Sequence, residues 1–258
     1  MTLAKDAWAS LRRYTPARVG LGRTGVSLPT ARYLELEEAL ALARDAVRTP
    51  FEPAAIASEL RAGGMDSLEC RSAAPDRATY LRRPDLGRRL DEASRKVMRL
   101  HSGSPPDLAV VIADGLSAVA TRLHAPALLG ALRELLSSSA WTLSPVVLVH
   151  QGRVAVGDEV AELLGARAVV VLIGERPGLS ATDSLGAYLT WAPRVGRRDA
   201  ERNCISNIRT AGLSVPDAAR ALAAMLASAR AYQLSGVDLT RALGGESAPQ
   251  AAIPPSRA

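Results

Sequence analysis

Cysteine and histidine, which often build metal and nucleophilic sites, are scarce in this chain of 258 residues. The two cysteines, Cys70 and Cys204, lie far apart, and the three histidines are His101, His124 and His150. None of these residues has the close spacing of metal ligands, and two distant cysteines form no disulfide framework. The sequence therefore predicts no metal site, and this use of cysteine indicates the reducing cytoplasm as the compartment.

Long apolar runs and several catalytic motifs are also missing. No run of about 18 apolar residues is present, which excludes a transmembrane helix, and the N-terminus lacks the apolar core of a secretory signal. The phosphate-binding G-x-x-x-x-G-K-[ST] motif and the G-x-S-x-G motif of hydrolases are absent. Because we cannot assemble a nucleophile, a metal set or an acid/base pair, the sequence predicts no catalytic residue in this chain.

Aromatic residues are only 3% of the chain, too few for a base-stacking platform. The net charge is +6, and residues 71–99 hold nine basic and four acidic residues, a local surplus of five. Such a segment could face phosphate or a carboxylate-rich partner. The alternative, a solvated helix face with intrachain ion pairs, is favoured, and we expect no nucleic-acid partner.

The second half of the chain has the pattern of an α/β protein. Three short, valine-rich apolar runs predict strands buried on both faces, at residues 108–113, 145–149 and 168–173. Helical segments at residues 116–136, where a break before Pro126 stays open, and 157–164 separate the strands and predict parallel crossovers. A further strand at residues 185–191 and an alanine-rich helix at 215–232 follow.

The first hundred residues indicate helices at residues 30–47, 53–61 and 86–100, followed by a linker-like stretch at 101–107. The predicted fold class is α/β, a Rossmann-like parallel sheet with flanking helices, preceded by a mainly helical N-terminal region. The predicted division is residues 1–104 for the helical or extended region, 105–244 for the α/β domain and 245–258 for a disordered tail.

A literal G-x-G-x-x-G occurs at Gly20, Gly22 and Gly25. The dinucleotide-binding fingerprint needs a strand before it and a helix immediately after it. Pro16 precedes the motif and Pro29 delays the helix, so a glycine-rich surface turn or a segment that contacts a partner is favoured.

Polar and glycine residues follow each predicted parallel strand, where ligands bind in open α/β sheets. The three pairs are Asp114-Gly115, Gln151-Gly152 and Gly174-Glu175. One hypothesis is that the glycines let a flat ligand approach the backbone closely, and the alternative is ordinary turn chemistry.

Single residues near these turns leave several interpretations open. His124 fits a satisfied histidine on a helix better than a catalytic base, whereas His150 at a strand end is a better candidate for lying near a ligand. Cys204 fits a buried apolar residue and a ligand contact equally well. Glu175 could cap a helix, pair with Arg176 or accept hydrogen bonds from a ligand.

Several longer strings resemble one enzyme family, the small (light) subunit of ethanolamine ammonia-lyase, across about residues 17–239. The strings are ARVGLGRTG from Ala17, DGLSA from Asp114, QGRVAVGDEVAELLGA from Gln151, GERPGLSATDSLGAYLTWAP from Gly174, DAERNCISNIR from Asp199 and QLSGVDL from Gln233.

The resemblance implies a subunit of an adenosylcobalamin-dependent carbon–nitrogen lyase that converts ethanolamine to acetaldehyde and ammonia by a radical mechanism. It also implies that a large subunit, a TIM barrel, carries the substrate site, and that repeated large–small pairs form the assembly. The family's cofactor contacts correspond to Val154, Glu175 and Cys204 in this sequence.

Two further expectations accompany the resemblance. The D-x-H-x-x-G string that places a histidine beneath cobalt is absent around His150, so we expect the cofactor to keep its own benzimidazole ligand. The short stretch before Ala17 favours the free bacterial cytoplasm over a bacterial microcompartment, which stays open. The alternative function is a free-standing cobalamin- or nucleotide-binding carrier without catalysis.

Overall fold

The computed structural model describes residues 7–15, 17–101 and 103–244, and the predicted tail lies outside this part of the chain. One sheet of six strands forms its centre. The strands are β1 (Ser67–Arg71), β2 (Leu108–Ala113), β3 (Leu143–His150), β4 (Ala168–Gly174), β5 (Leu185–Trp191) and β6 (Arg202–Ile208).

Eight α-helices surround or precede the sheet in the described residues. They are α1 (Thr30–Arg48), α2 (Pro53–Ala62), α3 (Arg77–Arg82), α4 (Glu92–Leu100), α5 (Ala118–Leu136), α6 (Val156–Leu164), α7 (Val215–Tyr232) and α8 (Gly236–Leu243). Short 3-10 helices lie at Ala7–Arg13, Leu86–Arg88 and Asp199–Glu201. No helix in this part of the chain is long and apolar enough to cross a membrane.

The strand order is β1-β3-β2-β4-β5-β6, and the sheet is mostly parallel. Strands β1 to β4 pair in parallel, and β5 runs antiparallel to both β4 and β6. The carboxyl ends of five strands and the amino end of β5 therefore meet at one edge, which we call the carboxyl edge. This arrangement confirms the mixed α/β prediction and the helical N-terminal region.

The hydrophobic core lies on both faces of the sheet, because alternate residues of the buried strands point to opposite sides. Helices α2, α5 and α7 pack on one face, and α4 and α6 pack on the other. The second pair covers strands β1 to β4 and leaves Tyr188 partly exposed and Cys204 exposed. A concave surface therefore borders α6.

Some local structure differs from the sequence predictions. The sequence indicated no strand at β1 or β6, and β1 shows that the sheet draws strands from both predicted regions. The predicted helix at residues 86–100 is instead a 3-10 turn followed by α4, which begins after its Asp91 cap. Helix α5 continues through Pro126, because packing against α7 and β4 compensates for the missing hydrogen bond. The division at residue 104 stays a prediction.

Candidate functional site

A crevice opens at the carboxyl edge, on the sheet face that α6 covers. Its cavity volume is about 390 Å³. Its walls include Tyr80 of α3, Val154 before α6, Glu175 after β4 and Tyr188 of β5. Two of the three predicted cofactor contacts, Val154 and Glu175, thus lie in the same crevice.

The Glu175 carboxylate is held by groups from two neighbouring segments. The hydroxyl of Ser184 donates to Oε2 and that of Ser206 donates to Oε1, while the backbone N–H of Asn207 donates to Oε2 across 3.2 Å. The interpretations of Glu175 as a helix cap or an Arg176 partner are therefore not supported. Three of about four acceptor positions on the carboxylate are filled, which leaves one for another donor.

Gly186 makes the space that Glu175 occupies. A Cβ atom at Gly186 would lie 3.0 Å from Glu175 Oε1 and 3.0 Å from the ring of Tyr188. Any larger residue would push the carboxylate or the ring out of place, so this glycine fixes the position of the acceptor.

Cys204 lies directly opposite Tyr188 in the register of β5 and β6, which places the third predicted contact beside the crevice. Cys204 is exposed, so its interpretation as a buried apolar residue is wrong. Desolvation of the thiol raises the pKa of Cys204, the hydrogen bond from Tyr188 opposes this shift, and the Glu175 charge adds to it. At neutral pH the thiol is protonated and offers a neutral contact surface.

Tyr80 anchors the loop that carries Val154. The buried Tyr80 hydroxyl donates to the carbonyl oxygen of Gly152 across 3.1 Å, and the Arg153 guanidinium carbon lies 4.2 Å from the ring centroid. Desolvation raises the pKa of Tyr80, so the phenol remains a hydrogen-bond donor. The backbone N–H of Arg153 donates to the Gly87 carbonyl across 2.7 Å, which fixes the loop from a second side.

Asp114 fastens the turns beneath the crevice together. Its buried carboxylate accepts from the backbone N–H of Gly152 across 3.1 Å and lies 3.4 Å from Arg77 Nη1. Burial raises the pKa of Asp114 to about 6, since the nearby Arg77 charge only partly offsets the lost hydration. Arg77 also donates to the carbonyl oxygen of Gly115 across 2.8 Å, so this pair has a structural role under the site.

A Cβ atom at any of the three strand-end glycines would meet protein, so ordinary turn chemistry is sufficient to explain each of them. A Cβ atom on Gly115 would overlap the carbonyl of Gly174, and one on Gly174 would overlap that of Ser117. A Cβ atom on Gly152 would lie 2.8 Å from the Cβ of Ala113. Gly115 and Gly174 also line the crevice, so close approach of a ligand to their backbone stays a prediction.

The histidines lie outside the crevice. His150 Nε2 lies 2.8 Å from Glu69 Oε1, and its ring packs edge-on against Phe51 on the opposite face of the sheet. His124 is buried, and its Nε2 lies 3.7 Å from Asp183 Oδ2, which is too far for a hydrogen bond. The expectation of a satisfied histidine is therefore wrong for that atom.

The other candidates from the sequence are the possible metal ligands, the glycine motif and the basic segment 71–99. In the described part of the chain, no three potential metal-ligating side chains come together. The three glycines of the literal G-x-G-x-x-G have positive φ, and α1 begins only at Thr30, as a surface turn requires. Five of the nine basic residues in 71–99 form ion pairs, which supports the prediction of intrachain pairs for those five.

Sequence reasoning missed the groups that position the predicted contacts. Ser184, Ser206 and Asn207 hold Glu175, while Tyr80 and Tyr188 form the crevice walls. For Ser184, Tyr188, Ser206 and Asn207 the only signal is membership in the strings that carry the family resemblance, and Tyr80 lies outside those strings.

Comparisons with known proteins agree with the resemblance. A family model described as "Ethanolamine ammonia-lyase light chain (EutC)" matches residues 5–240. A protein of Azotobacter vinelandii is 57% identical over 238 residues, 91% of this chain and 88% of its own. One of Pseudomonas aeruginosa is 56% identical over 251 residues, covering 94% and 92%. One of Xanthomonas campestris pv. campestris is 54% identical over 260 residues, covering 97% and 95%. All three are called ethanolamine ammonia-lyase small subunits.

Proposed function

Because this chain belongs to the ethanolamine ammonia-lyase light chain family, we propose that it holds one face of adenosylcobalamin against the large subunit of that lyase. The chain is a small subunit of a carbon–nitrogen lyase, and its partner is the large subunit. Enzymes of this kind are generally cobalamin-dependent. The observation that carries the proposal is that Val154 and Glu175 line one open crevice and Cys204 lies beside it, opposite Tyr188.

The chemistry of the crevice fits part of a corrinoid. Val154, Ile173 and Tyr188 offer apolar surface to a macrocycle, and the free acceptor position on Glu175 suits an amide N–H or a ribose hydroxyl at its rim. A corrinoid is much larger than this crevice, so the chain would cover only part of the cofactor. The large subunit would then enclose the remainder.

This division leaves the reaction steps outside the chain. When bound, adenosylcobalamin supplies the radical chemistry by which ethanolamine becomes acetaldehyde and ammonia. We assign binding, orientation and water exclusion to the residues of this chain, and assign it no catalytic residue. The site supports this division, because the Glu175 carboxylate accepts hydrogen bonds from three donors and the Cys204 thiol is protonated.

The experiment is to purify this chain alone and together with its large subunit, add adenosylcobalamin, and measure both the cofactor spectrum and ammonia release from ethanolamine. We expect turnover only from the complex. Turnover by the isolated chain would contradict the division of labour. Full cofactor affinity in the isolated chain, unchanged by the large subunit, would instead support the carrier alternative.

We also propose that the cofactor keeps its benzimidazole ligand, since His150 points to the other face of the sheet and bonds to Glu69. With cob(II)alamin bound, the His150→Ala complex should show the same nitrogen coupling to cobalt, by electron paramagnetic resonance, as the unaltered complex. Loss of that coupling would refute the proposal.

The assembly and its location belong to the same proposal. We propose repeated large–small pairs in the bacterial cytoplasm, with packaging in a bacterial microcompartment as the alternative. Analytical ultracentrifugation of the co-purified complex would give the number of pairs, and cell fractionation would distinguish the two locations.

A further inference from the structure

A second cavity, of about 440 Å³, shares one loop with the proposed cofactor crevice. Val154 lines the crevice, and the next residue, Ala155, lines this second cavity. The other walls come from Arg88 and Arg89 and from the loop after β5, including Arg197 and Arg198. We call it the arginine cavity.

The main chain fixes Arg88 and Arg89 beside the loop that carries Val154. Gly87 accepts a hydrogen bond from the Arg153 backbone N–H across 2.7 Å, and Arg89 accepts one from the Ala73 backbone N–H across 2.8 Å. A Cβ atom on Gly87 would lie 2.9 Å from Arg153 Cγ, so the turn is packed tightly against this loop. The backbone that carries the two guanidinium groups is therefore held in place before any ligand binds.

The described residues do not balance the charge in the arginine cavity. Arg197 pairs with Glu201, but Arg88, Arg89 and Arg198 form no ion pair with any described residue. Asp199 is the only acidic residue that lines the cavity, its side chain is 97% exposed, and it lies 3.7 Å from Arg202. Uncompensated guanidinium groups in a concave wall favour a bound anion.

Resting on the proposed function, we infer that the arginine cavity binds the phosphodiester in the nucleotide tail of the corrinoid. The cavity begins one residue from a proposed corrinoid contact, and guanidinium groups match phosphate oxygens by paired hydrogen bonds. A protein carboxylate from the large subunit is the competing occupant. The concave shape and the adjacent positions of Val154 and Ala155 in the two cavity walls favour the phosphodiester.

The test compares adenosylcobalamin with adenosylcobinamide, which lacks the nucleotide tail and its phosphate. The purified large–small complex carries Arg88→Gln and Arg89→Gln together, and cofactor affinity is measured by equilibrium dialysis. We expect adenosylcobalamin to bind about ten- to a hundredfold more weakly, with adenosylcobinamide unaffected. The matched control, Arg82→Gln with Lys96→Gln, removes two exposed charges of the same segment and should change neither affinity.

Each other outcome overturns the inference. Unchanged affinity for both corrinoids would show that the two arginines contact no part of the cofactor. An equal loss for both, with weaker subunit association by sedimentation, would assign the arginines to a carboxylate of the large subunit. If the unaltered complex binds no adenosylcobalamin, the proposed function itself fails.

A second measurement decides the case in which adenosylcobinamide binds too weakly to titrate. Adenosylcobalamin affinity should fall with rising salt in the unaltered complex and in the control, because salt screens charge pairs. The double variant should lose much of this dependence. An equal salt dependence in all three complexes would refute the inference.

Discussion

The Glu175 carboxylate joins β6 to the loop before β5, and one of its acceptor positions stays free for a ligand. Glu175→Gln replaces an acceptor oxygen by an N–H₂ group that would face existing donors. We expect cofactor binding by the complex to weaken by about 1–3 kcal/mol. Equilibrium dialysis with adenosylcobalamin measures the loss.

The control for this substitution is Glu69→Gln, which removes a carboxylate paired with His150 on the other face of the sheet. It should leave cofactor affinity unchanged. If Glu175→Gln lowers the melting temperature and keeps full affinity, Glu175 is only a structural tie between the two segments.

Asp114 gives a prediction about pH at the same scale. Because burial raises its pKa from 3.8 to about 6, the folded chain binds this proton more tightly than the unfolded chain does. Its contribution to stability is therefore full below pH 4 and is lost as the pH rises through about 6. The side chain that Asp114→Asn introduces cannot ionise. The free energy of unfolding of this variant, relative to that of the unaltered chain, should therefore rise by about 1–3 kcal/mol between pH 4 and pH 7. Urea unfolding at a series of pH values measures the difference.

Asp107→Asn provides the contrasting control. Hydrogen bonds from Thr142 lower the pKa of Asp107, so its stabilising effect is present above pH 4 and disappears only in stronger acid. The difference between this variant and the unaltered chain should stay flat from pH 5 to pH 7. A flat Asp114→Asn difference over the same range would contradict the pKa shift.

At the scale of elements, two helical glycines give opposite expectations for the same substitution. A Cβ atom on Gly157 would overlap the Val171 side chain, so Gly157→Ala should push α6 away from β4 and destabilise the fold by about 1–3 kcal/mol. Gly130 in α5 has no neighbour within 4 Å of such an atom, so Gly130→Ala should stabilise by about 0.5–1 kcal/mol. Thermal unfolding of the two variants checks the signs, and equal effects would contradict this account of helix packing.

The elements themselves show what the sequence could predict. Strands β2, β3 and β4 each contain a continuous apolar run, because helices cover both faces of the sheet there, and such runs are visible in a single sequence. Strands β1 and β6 lie at the two sheet edges and mix buried with exposed residues, so the chain carries no comparable pattern. Their pairing depends on distant partners that local periodicity does not encode.

The same limit applies to the site. Val154, Glu175 and Cys204 are predicted from the family resemblance, and the fold places the first two in one crevice and Cys204 beside it. Ser206 and Asn207 hold Glu175 only because β6 pairs with β5, a contact across 31 and 32 positions of sequence. Spacing alone could not have joined them.

At the scale of the whole molecule, the N-terminal segment follows the carboxyl edge. Arg18 donates to Leu179 and Ser180 in the loop after Glu175, and the α1 carbonyl of Val47 accepts from Arg77 across 2.7 Å. Helix α1 buries only two alanines, although large apolar residues lie along it. A helix so rich in exposed apolar surface is typical of one that a partner covers.

We expect the large subunit to cover this surface of α1, because its apolar side chains are exposed and the Val47 carbonyl of α1 accepts from Arg77, which lies under the crevice that both subunits are proposed to share. Leu34 and Leu42 are 60% and 54% exposed, so lysine at either position should alter the free energy of unfolding of the isolated chain by less than about 0.5 kcal/mol. Leu34→Lys and Leu42→Lys should each reduce capture of the large subunit about tenfold or more, because a charge would be buried in the interface. Pull-down at graded concentrations of the large subunit measures this. The matched control is Leu135→Lys, at a 43% exposed position near the far end of α5, and it should capture the large subunit normally. Normal capture by all three variants would place the interface elsewhere.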